Sequence, residues 1–576
     1  MELLPFGDLP PYKPRTFVPV DLTVASWDAI APLFDQLDCA LDSCASVSDL
    51  ESWLLDVSEL GAILDEDGSR RYIAMTCHTS VDAAKNAYLD FIENIEPHLK
   101  ERFFHLAKKF VSHPCRSELP EPRYQILNRD WQSTVELFRE ENVPLETEES
   151  RLGQAYQEKM GALTVEFKGE EKTLVQMGVY LQETDRSVRQ EAWELVSNRR
   201  LAVADECDRQ FDQLRDIRIQ IAKNAGYADY RDYKHIAKGR FDYQPEDCFK
   251  FHEAVETVVM PAYNELLAER KKKLDLGTLR PWDTAVDPDG LEPLKPFSEV
   301  EDMVSKTKAV FDEIDEELAG GFQTMRDQNL LDLANRKGKA PGGYQSSLPE
   351  ARLPFIFMNA VGLQRDVETL LHEAGHAFHT LAAQKEDIHE YQHAPLEFCE
   401  VASMSMEFIG NEHLEQFYSE EDSVRARRQH LEGVLGLFPW IATVDAFQHW
   451  IYTNPEHSVE DRDKAWNGLL DRFGGDIDWS GHELARTKMW HRQSHIFLVP
   501  FYYIEYGIAQ LGALGVWNNS KSDRAKALAD YKKALALGGS RPLPELFAAA
   551  NIPFKFNAEA FKPLIELVQT ELAALK

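Results

Sequence analysis

The sequence predicts a mainly α-helical protein with a small β element. Apolar residues recur at three- and four-residue intervals, with charges between them, which is the pattern of amphipathic helices. The segments with this pattern are 28–47, 80–112, 145–166 and 187–224. Glycine-containing helix stops are predicted at 224–226, 320–321, 342–343 and 538–539. Strand character is sparse, and its clearest case is the β-prone run Leu353–Asn359.

Length and charge limit the classes of protein to be considered. The chain has 576 residues, of which 44% are hydrophobic, so a large packed core is possible. It carries 97 acidic against 63 basic residues, a formal net charge of -34. A nucleic-acid-binding protein needs cationic surface that displaces phosphate counterions. We therefore expect neither nucleic acid nor a membrane as a partner, and we interpret the acidity as favouring solubility.

The amino terminus and the cysteines predict a cytoplasmic protein. Residues 1–17, MELLPFGDLPPYKPRTF, lack a basic stretch followed by an apolar run, so no secretory signal is predicted. No run of about 18 uncharged apolar residues occurs, so no membrane span is predicted. The seven cysteines are scattered and odd in number, which is typical of free thiols in a reducing compartment.

The segment Leu370–Gln384, LLHEAGHAFHTLAAQ, places polar groups that bind metals within an apolar helix-forming stretch. Residues i and i+4 of a helix project from one face, so His372 and His376 can direct both imidazoles at one ion. Glu373 is rotated by about 100° and would flank that ion. This geometry is typical of zinc hydrolases. The structural alternative is a surface helix, but the apolar flanks predict burial, and buried imidazoles need partners.

Two further residues of this helix are unusual. Gly375 lowers helix stability by about 1 kcal/mol relative to alanine, which is easier to explain if another backbone passes closely. His379 continues the stripe of histidines, and we expect it to pack or to orient a ligand.

The third ligand of a catalytic zinc site must come from elsewhere in the chain. A metzincin would place a glycine three residues and a histidine six residues after the second histidine. This chain has His379 and Ala382 at those positions, so that class is excluded. The remaining option is a glutamate from a second helix.

The segment Pro395–Gly410, PLEFCEVASMSMEFIG, provides glutamates on one face of a helix. Its polar stripe consists of Glu397, Glu400, Ser403 and Glu407. Burying acidic side chains on an apolar helix costs free energy unless they pair with cations. No lysine or arginine occurs between positions 385 and 425. A divalent cation can neutralise them. We take Glu400 as the metal ligand and Glu397 as the alternative, with Glu407 and Ser403 orienting the histidines.

A second unusual stretch, Trp490–Gln510, supplies hydrogen-bond donors. Spacings of seven and four residues place His495, Tyr502 and Tyr506 on one helical face. Tyr503 lies beside them, and the proline within the stretch is expected to kink the helix. Tyrosine hydroxyl and histidine N–H groups can stabilise an oxyanion, whereas the structural alternative is an aromatic core stripe.

Together these segments resemble the thimet oligopeptidase and oligoendopeptidase F family of zinc peptidases, especially its bacterial oligoendopeptidase F and Pz-peptidase branch. The resemblance covers most of the chain from about residue 200, whereas residues 1–195 match only in helical character. Its motifs are AGYADYRDY (225–233), GKAPGGYQSSLP (338–349), PFIFMNAVG (354–362), DVETLLHEAGHAFH (366–379), EFCEVASMSMEF (397–408), HIFLVPFYYIEY (495–506) and LGGSRPLPELFAAANI (537–552).

The resemblance implies one zinc ion per chain. Its ligands would be His372, His376 and Glu400, and Glu373 would be the general base. The third ligand of the family stands in a Glu-x-x-Ser context, which here selects Glu400 over Glu397.

The resemblance also implies which groups meet the substrate. The expected donors to the transition state are one histidine and two tyrosines: His495, Tyr502 and Tyr506. The expected substrate contacts are Gly342, Gly343, Tyr344 and Tyr503. The strand Phe355–Asn359 would be the sheet edge that pairs with the substrate backbone.

In fold, the resemblance implies two helical lobes around a deep substrate channel, with the β element beside the zinc-binding helix. We divide the chain into an N-terminal helical lobe, 1–195, and a catalytic zinc peptidase domain, 196–576. Such a channel would admit short unstructured peptides, so we expect a zinc-dependent oligopeptidase that cuts within peptides. The alternatives are a carboxypeptidase or dipeptidyl carboxypeptidase on the same scaffold, and a non-catalytic peptide-binding protein.

Overall fold

A computed structural model describes residues 3–575 of the chain. Within this range the α-helices are α1 (Trp27–Ser43), α2 (Val47–Cys77), α3 (Asp82–Asn94), α4 (Glu96–Val111), α5 (Gln125–Leu137), α6 (Val143–Gly161), α7 (Arg186–Leu201), α8 (Ala204–Asn224), α9 (Tyr230–Ala237), α10 (Pro245–Ala254), α11 (Met260–Lys273), α12 (Val300–Ile314), α13 (Glu316–Asp327), α14 (Gln364–Ala383), α15 (Leu396–Asn411), α16 (Glu420–Thr453), α17 (Val459–Phe473), α18 (Glu483–Thr487), α19 (Ser494–Leu498), α20 (Tyr503–Ser522), α21 (Arg524–Leu535), α22 (Leu543–Ala549) and α23 (Ala558–Ala574).

The remaining regular structure is short. The strands are β1 (Thr164–Phe167), β2 (Glu170–Thr173), β3 (Leu331–Ala334), β4 (Tyr344–Leu348) and β5 (Leu353–Ala360). Single 3-10 segments lie at Pro114–Glu118, Glu140–Asn142, Gln176–Gln182, Pro281–Asp283, His389–Gln392, Leu414–Gln416 and Met489–Arg492, and Val255–Val259 is π-helical. Between residues 3 and 575, no helix combines the length and the apolar character that crossing a membrane requires.

The prediction of a mainly helical fold with a small β element is confirmed. Two of the predicted segments each form two helices. Segment 187–224 forms α7 and α8. Segment 80–112 forms α3 and α4, which meet at Ile95, because Pro97 occupies the first turn of α4, where its missing N–H is not needed. The predicted helix stops at 320–321 and 342–343 are wrong. Residues 342–343 lie between strands β3 and β4. Gly321 lies inside α13, and a Cβ there would meet Leu381 Cδ1 at 2.8 Å, so this glycine serves close packing instead.

The chain forms two compact units, each made of three segments. Unit 1 consists of the residues up to Glu136, Leu294–Arg427 and Ala509–Phe554; unit 2 consists of Leu137–Pro293, Arg428–Ile508 and the residues from Lys555 onward. The predicted division at residue 195 into two consecutive domains stays a prediction.

Each unit has an apolar core of its own. In unit 1 it lies largely among α1, α2 and α4, where the ring of Trp53 stacks on that of Phe110 at 6.0 Å. In unit 2 it includes Phe211 of α8, Trp466 of α17 and Phe497 of α19, all fully buried.

The sheet of unit 1 has the strand order β3-β5-β4 and packs against α14. Strand β5 pairs in parallel with β3 and antiparallel with β4, and its almost continuous apolar sequence is typical of a strand covered on both faces. The expectation that Phe355–Asn359 forms the sheet edge is therefore wrong. Strand β3 covers one side of β5, and β4 forms an edge of the sheet.

One carboxylate fastens the connection from β5 to α14. Asp366 Oδ2 accepts the backbone N–H groups of Val361, Gly362 and Leu363 at 2.8–2.9 Å. Gly362 has a φ of +95°, which lies in the region that favours glycine. A carboxylate in the first turn also stabilises the positive end of the helix dipole. These contacts fix where α14 leaves the sheet and therefore which face its histidines occupy.

In unit 2, the helix predicted over Trp490–Gln510 is interrupted. Helix α19 ends at Leu498 and α20 begins at Tyr503, and between them Phe501 has a φ of +64°. Pro500 explains the break, because proline lacks the N–H that a helix interior needs. The structure therefore has a break at this proline, where the sequence predicts a kink.

Candidate metal centre

Helices α14 and α15 of unit 1 approach each other closely at Gly375. A Cβ on this residue would lie 2.5 Å from Ser403 Cα and 2.7 Å from the carbonyl oxygen of Ala402. The close backbone passage expected at this glycine is confirmed. The approach brings the glutamates of α15 against the histidines of α14.

Three donor atoms converge at this crossing. His372 Nε2 lies 3.4 Å and His376 Nε2 lies 3.7 Å from Glu400 Oε2, and all three donors lie within 4.8 Å of one another. Zinc bonds of about 2.0–2.1 Å in tetrahedral geometry separate donor atoms by roughly 3.3–3.4 Å. Two imidazoles and one carboxylate at this spacing fit a zinc ion. Within residues 3–575, this three-donor group includes Glu400 and not the alternative, Glu397.

Neighbouring side chains orient these donors. Glu407 Oε1 accepts a hydrogen bond from His372 Nδ1 at 2.7 Å, so the Nε2 lone pair of that ring is directed toward Glu400. Ser403 Oγ donates to Glu400 Oε2 at 2.9 Å. The serine therefore orients the carboxylate, whereas the sequence predicts that it orients a histidine.

Burial and the surrounding glutamates set the protonation of the two histidines. Burial lowers the pKa of His372, but the hydrogen bond to Glu407 and the nearby carboxylate charges outweigh it and raise that pKa to about 9. Burial and the charge of His372 hold the pKa of His376 well below its usual value. A metal cation would therefore displace a proton from His372 but meet His376 already neutral.

Glu373 lies in the same turn of α14 and is buried. Burial, together with the charges of Glu400 and Glu407, raises its pKa to about 7, against the lowering effects of His372 and a backbone hydrogen bond from Gln345. A bound dication would lower this pKa. No residue-type pattern predicts the role of Gln345, because it contributes a backbone N–H that any residue could supply; the one available signal is its position in the 338–349 motif.

The edge strand β4 presents backbone groups beside Glu373. Ile356 donates its N–H to the carbonyl of Leu330 at 2.9 Å and so faces β3. Gln345 is the register partner of Ile356, and its own N–H and C=O therefore point away from β5. Ser347, two residues later, has the same orientation. These two residues give β4 an outward row of backbone donors and acceptors.

The predicted substrate residues Gly342, Gly343 and Tyr344 lead into β4. Gly342 has a φ of +101°, and Asn359 Nδ2 donates to its carbonyl at 2.9 Å. The hydroxyl of Tyr344 lies 2.7 Å from Thr76 Oγ1, and its ring stacks on Phe357. The hydroxyl and the ring of Tyr344 therefore both anchor the start of strand β4.

His379 is buried one turn beyond the two histidine donors. Its ring meets that of Phe398 edge-on at 6.1 Å, and burial lowers its pKa to about 3. Within the described range, 3–575, its Nε2 has no hydrogen-bond partner. These contacts support packing as its role.

The predicted donors of unit 2 form an aromatic cluster. The ring of His495 lies 5.4 Å from that of Tyr502, 4.9 Å from Tyr503 and 6.2 Å from Tyr506. All four side chains are half-buried. The spacing along the sequence therefore groups these residues correctly, although the break at Pro500 means that they do not share one continuous helix.

A chain of hydrogen bonds fixes the tautomer of His495. Trp440 Nε1, which can only donate, lies 3.0 Å from Gln493 Oε1. The amide nitrogen of Gln493 then faces His495 Nδ1 at 2.7 Å and donates to it. Burial lowers the pKa of His495, which favours the neutral ring. Its proton therefore resides on Nε2, which is available as a donor.

Comparisons with known proteins agree with the resemblance seen in the sequence. The chain is similar to a solved structure of Pz peptidase A with an inhibitor, at 28% identity and a TM-score of 0.87, over 97% of this chain and 99% of that one. It is 25% identical to an oligoendopeptidase F homologue of Lactococcus lactis subsp. lactis over 55% of this chain and 52% of the relative. It is 24% identical to oligopeptidase PepF of Bacillus subtilis over 56% of this chain and 48% of the relative. The chain thus spans about half the length of the curated relatives it matches.

Two family models match separate parts of the chain. The model of the Peptidase M3 N-terminal domain matches residues 17–138. The model of Peptidase family M3 matches residues 179–562, which include the histidines of α14 and the glutamates of α15. The predicted relationship to oligoendopeptidase F and Pz peptidases is confirmed. This chain belongs to Peptidase family M3.

Proposed function

We propose that this chain is a zinc-dependent oligopeptidase that hydrolyses bonds within short unstructured peptides. The observation that carries the proposal is the convergence of His372, His376 and Glu400 on one point, with the carboxylate of Glu373 in the same helical turn. The family match supports peptidase chemistry. Names such as oligoendopeptidase F and oligopeptidase among the relatives support short peptides as substrates. The seven free cysteines support a cytoplasmic location.

The three donors would hold one zinc ion, which supplies Lewis-acid polarisation of the scissile carbonyl and lowers the pKa of the attacking water. Glu373 accepts the proton of that water and passes it to the leaving amine nitrogen. Its buried position in the same helical turn as the ligands suits a group that must both take and return a proton. Glu407 keeps the proton of His372 on Nδ1, so the other ring nitrogen remains a ligand.

The outer edge of β4 is proposed to hold the substrate backbone. The carbonyl of Gln345 and both backbone groups of Ser347 point outward there, whereas the N–H of Gln345 interacts with Glu373. An extended peptide can add to such an edge as a further strand. Pairing through backbone groups imposes little side-chain selectivity, which suits an enzyme for varied short peptides. Gly342 and Gly343, just before the strand, are proposed as further substrate contacts.

The donors to the oxyanion are proposed to be His495 Nε2–H and the hydroxyls of Tyr502 and Tyr506, with Tyr503 as a substrate contact. The resemblance supports this assignment, and the tautomer of His495 supplies the required N–H within its own unit.

Exopeptidase specificity is the nearest alternative, as in a carboxypeptidase or dipeptidyl carboxypeptidase. An internally quenched peptide with an amidated C-terminus, analysed by mass spectrometry with and without chelator, separates the possibilities. We expect internal cleavage that chelator abolishes and zinc restores. Cleavage confined to peptides with a free C-terminus would favour the exopeptidase, and binding without cleavage by the metal-loaded protein would favour the peptide-binding protein.

A further inference from the structure

Two helices of unit 2 bring together a second set of metal-binding side chains. Helix α10 carries Cys248 and His252 four residues apart, and α16 carries Asp445 and His449 four residues apart. Residues at this spacing project from one helical face. The two pairs face each other, because His252 Nε2 lies 2.8 Å from Asp445 Oδ2 and His449 Nε2 lies 3.3 Å from the same oxygen.

These four side chains are buried, none more than 5% exposed. Donor atoms of Cys248, Asp445 and His449 all lie within 4.8 Å of one another. A tetrahedral zinc ion with bonds of about 2.0–2.3 Å would separate its donors by roughly 3.3–3.6 Å. The 4.8 Å limit is wider than the spacing around a bound ion. His252 is not in this three-donor group, and it adjoins the group through Asp445 Oδ2, which lies 2.8 Å from its Nε2.

Two polar atoms of the cluster lack partners. Within residues 3–575, Asp445 Oδ1 and His449 Nδ1 are buried and accept or donate no hydrogen bond. A buried carboxylate or ring nitrogen without its hydrogen bonds costs free energy. The ring of His449 contacts Phe249 and Phe501, and neither ring supplies a hydrogen bond to its Nδ1. A cation bound to Asp445 Oδ1 or to His449 Nδ1 would remove part of this cost.

The charges of the cluster suit a dication. A thiolate on Cys248 and a carboxylate on Asp445 would carry two negative charges, and the two imidazoles bind metals in the neutral form. A dication makes this buried group neutral. Two arginines act electrostatically on the cluster. Arg240 donates to Glu505 at 2.7 Å and Arg472 to Glu256 at 2.6 Å, so each already has an acidic partner.

We propose that Cys248, His252, Asp445 and His449 form a second, structural zinc site that joins α10 to α16. Four protein ligands leave no open position for substrate, which is typical of structural rather than catalytic zinc. The mixed sulfur and nitrogen donors favour zinc over magnesium or calcium. This site is separate from the proposed catalytic centre and does not depend on the proposed function.

The sulfur ligand makes the site distinguishable by spectroscopy. The site of His372, His376 and Glu400 has no sulfur, so a thiolate-to-cobalt charge-transfer band can arise only at Cys248 if the proposal holds. We expect the full-length protein, stripped with chelator and reloaded with Co²⁺, to show this band. Cys248→Ser should abolish it, whereas Cys207→Ser, which changes another buried cysteine of unit 2, should leave it unchanged.

Elemental analysis counts the ions independently. We expect two zinc ions per wild-type chain and one in Glu400→Ala, which retains the second site. The variant Cys248→Ser should also hold one, and the double variant none. One ion in the wild type together with none in Glu400→Ala would overturn the proposal. Two ions without a thiolate band would also overturn it, because the second ion would then lie elsewhere. Both measurements on the wild type remain decisive if Cys248→Ser does not fold.

Discussion

His372 Nδ1 and Glu407 Oε1 lie 2.7 Å apart, and this contact controls which nitrogen of the ring faces Glu400. Burial lowers the pKa of His372, but this contact and the charges of Glu407, Glu400 and Glu373 together raise it to about 9. Glu407, on the neighbouring helix, therefore orients this ring and contributes most directly to its protonation. A metal ion that binds here competes with a proton that Glu407 stabilises.

Metal affinity is predicted to depend on pH through this pair. Because binding displaces a proton from His372, the apparent affinity for zinc should rise by about tenfold per pH unit up to a pH of about 9. Competition titrations with a chelator between pH 7 and pH 10 would measure this slope. An affinity that does not change over that range would show that no such proton is displaced.

Removing the charge of Glu407 should change both the affinity and its pH dependence. We expect Glu407→Gln to weaken zinc binding by about 10- to 100-fold. Because the pKa of His372 would fall, the affinity of this variant should stop rising at a lower pH than that of the wild type. Glu415→Gln is a matched control, since Glu415 also faces a histidine, His413, at 3.7 Å but lies outside the donor group. Equal behaviour of the two variants would contradict the role of Glu407.

The choice between two neighbouring glutamates can be tested directly. We expect Glu400→Ala to lose zinc, as measured by elemental analysis, because it removes one of the three converging donors. Glu397→Ala should retain zinc, although Glu397 is equally buried on the same helix. Circular dichroism of both variants controls for folding. The reverse pattern would transfer the ligand role to Glu397.

The crossing of α14 and α15 is predicted to tolerate no side chain at Gly375. Gly375→Ala should destabilise the protein by about 1–3 kcal/mol or more, because a Cβ would lie 2.5 Å from the backbone of Ser403. Gly320→Ala is the matched control: this glycine lies inside α13 with nothing within 4 Å of an added Cβ, so alanine should be neutral or stabilise by up to about 1 kcal/mol. Thermal unfolding would compare them. Similar melting temperatures for both variants would contradict the packing argument.

Local periodicity predicts the histidine pair because the geometry of a single helix fixes it. His372 and His376 need only the i, i+4 rule, and the close approach at Gly375 follows from the same helix. The choice of Glu400 over Glu397 is different, since both lie on one stripe of α15 and both are buried. The resemblance to a known family, rather than periodicity, selects Glu400.

Features that depend on contacts between distant segments cannot be predicted from local sequence patterns. Strand β5 is central only because the four-residue strand β3 pairs with it, and so short a strand has no clear periodic signal. Gly321 is explained by the side chain of Leu381, which lies 60 positions later in the chain and packs against it. The periodicity does not predict the 31-residue helix α2. In the sequence Cys248 is one of seven scattered thiols, because the residues near it on α16 are remote along the chain.

The assignment of Glu373 as general base predicts a separation of metal binding from turnover. Glu373→Gln keeps the shape of the side chain and an oxygen that can accept the backbone N–H of Gln345, so zinc content should not change. Turnover of a quenched peptide should fall by about 10²- to 10⁴-fold, because an amide cannot accept the proton of water. Wild-type turnover in this variant would remove Glu373 from the role of base.

The tyrosines of the aromatic cluster should differ in their effect on catalysis. Tyr506→Phe is expected to lower kcat by about ten- to a thousandfold, the range for losing one oxyanion donor, with little change in KM or in thermal stability. Tyr502→Phe removes a hydroxyl from the same cluster and is expected to act in the same direction. Tyr503→Phe is the matched comparison, because the hydroxyl of Tyr503 interacts with Trp440 and Gln493 and its loss is expected to affect kcat less. If kcat is unaltered in Tyr506→Phe but reduced in Tyr503→Phe, the donor role belongs to Tyr503. If none of the three variants changes kcat, these hydroxyls do not stabilise the oxyanion, and the cluster serves packing alone.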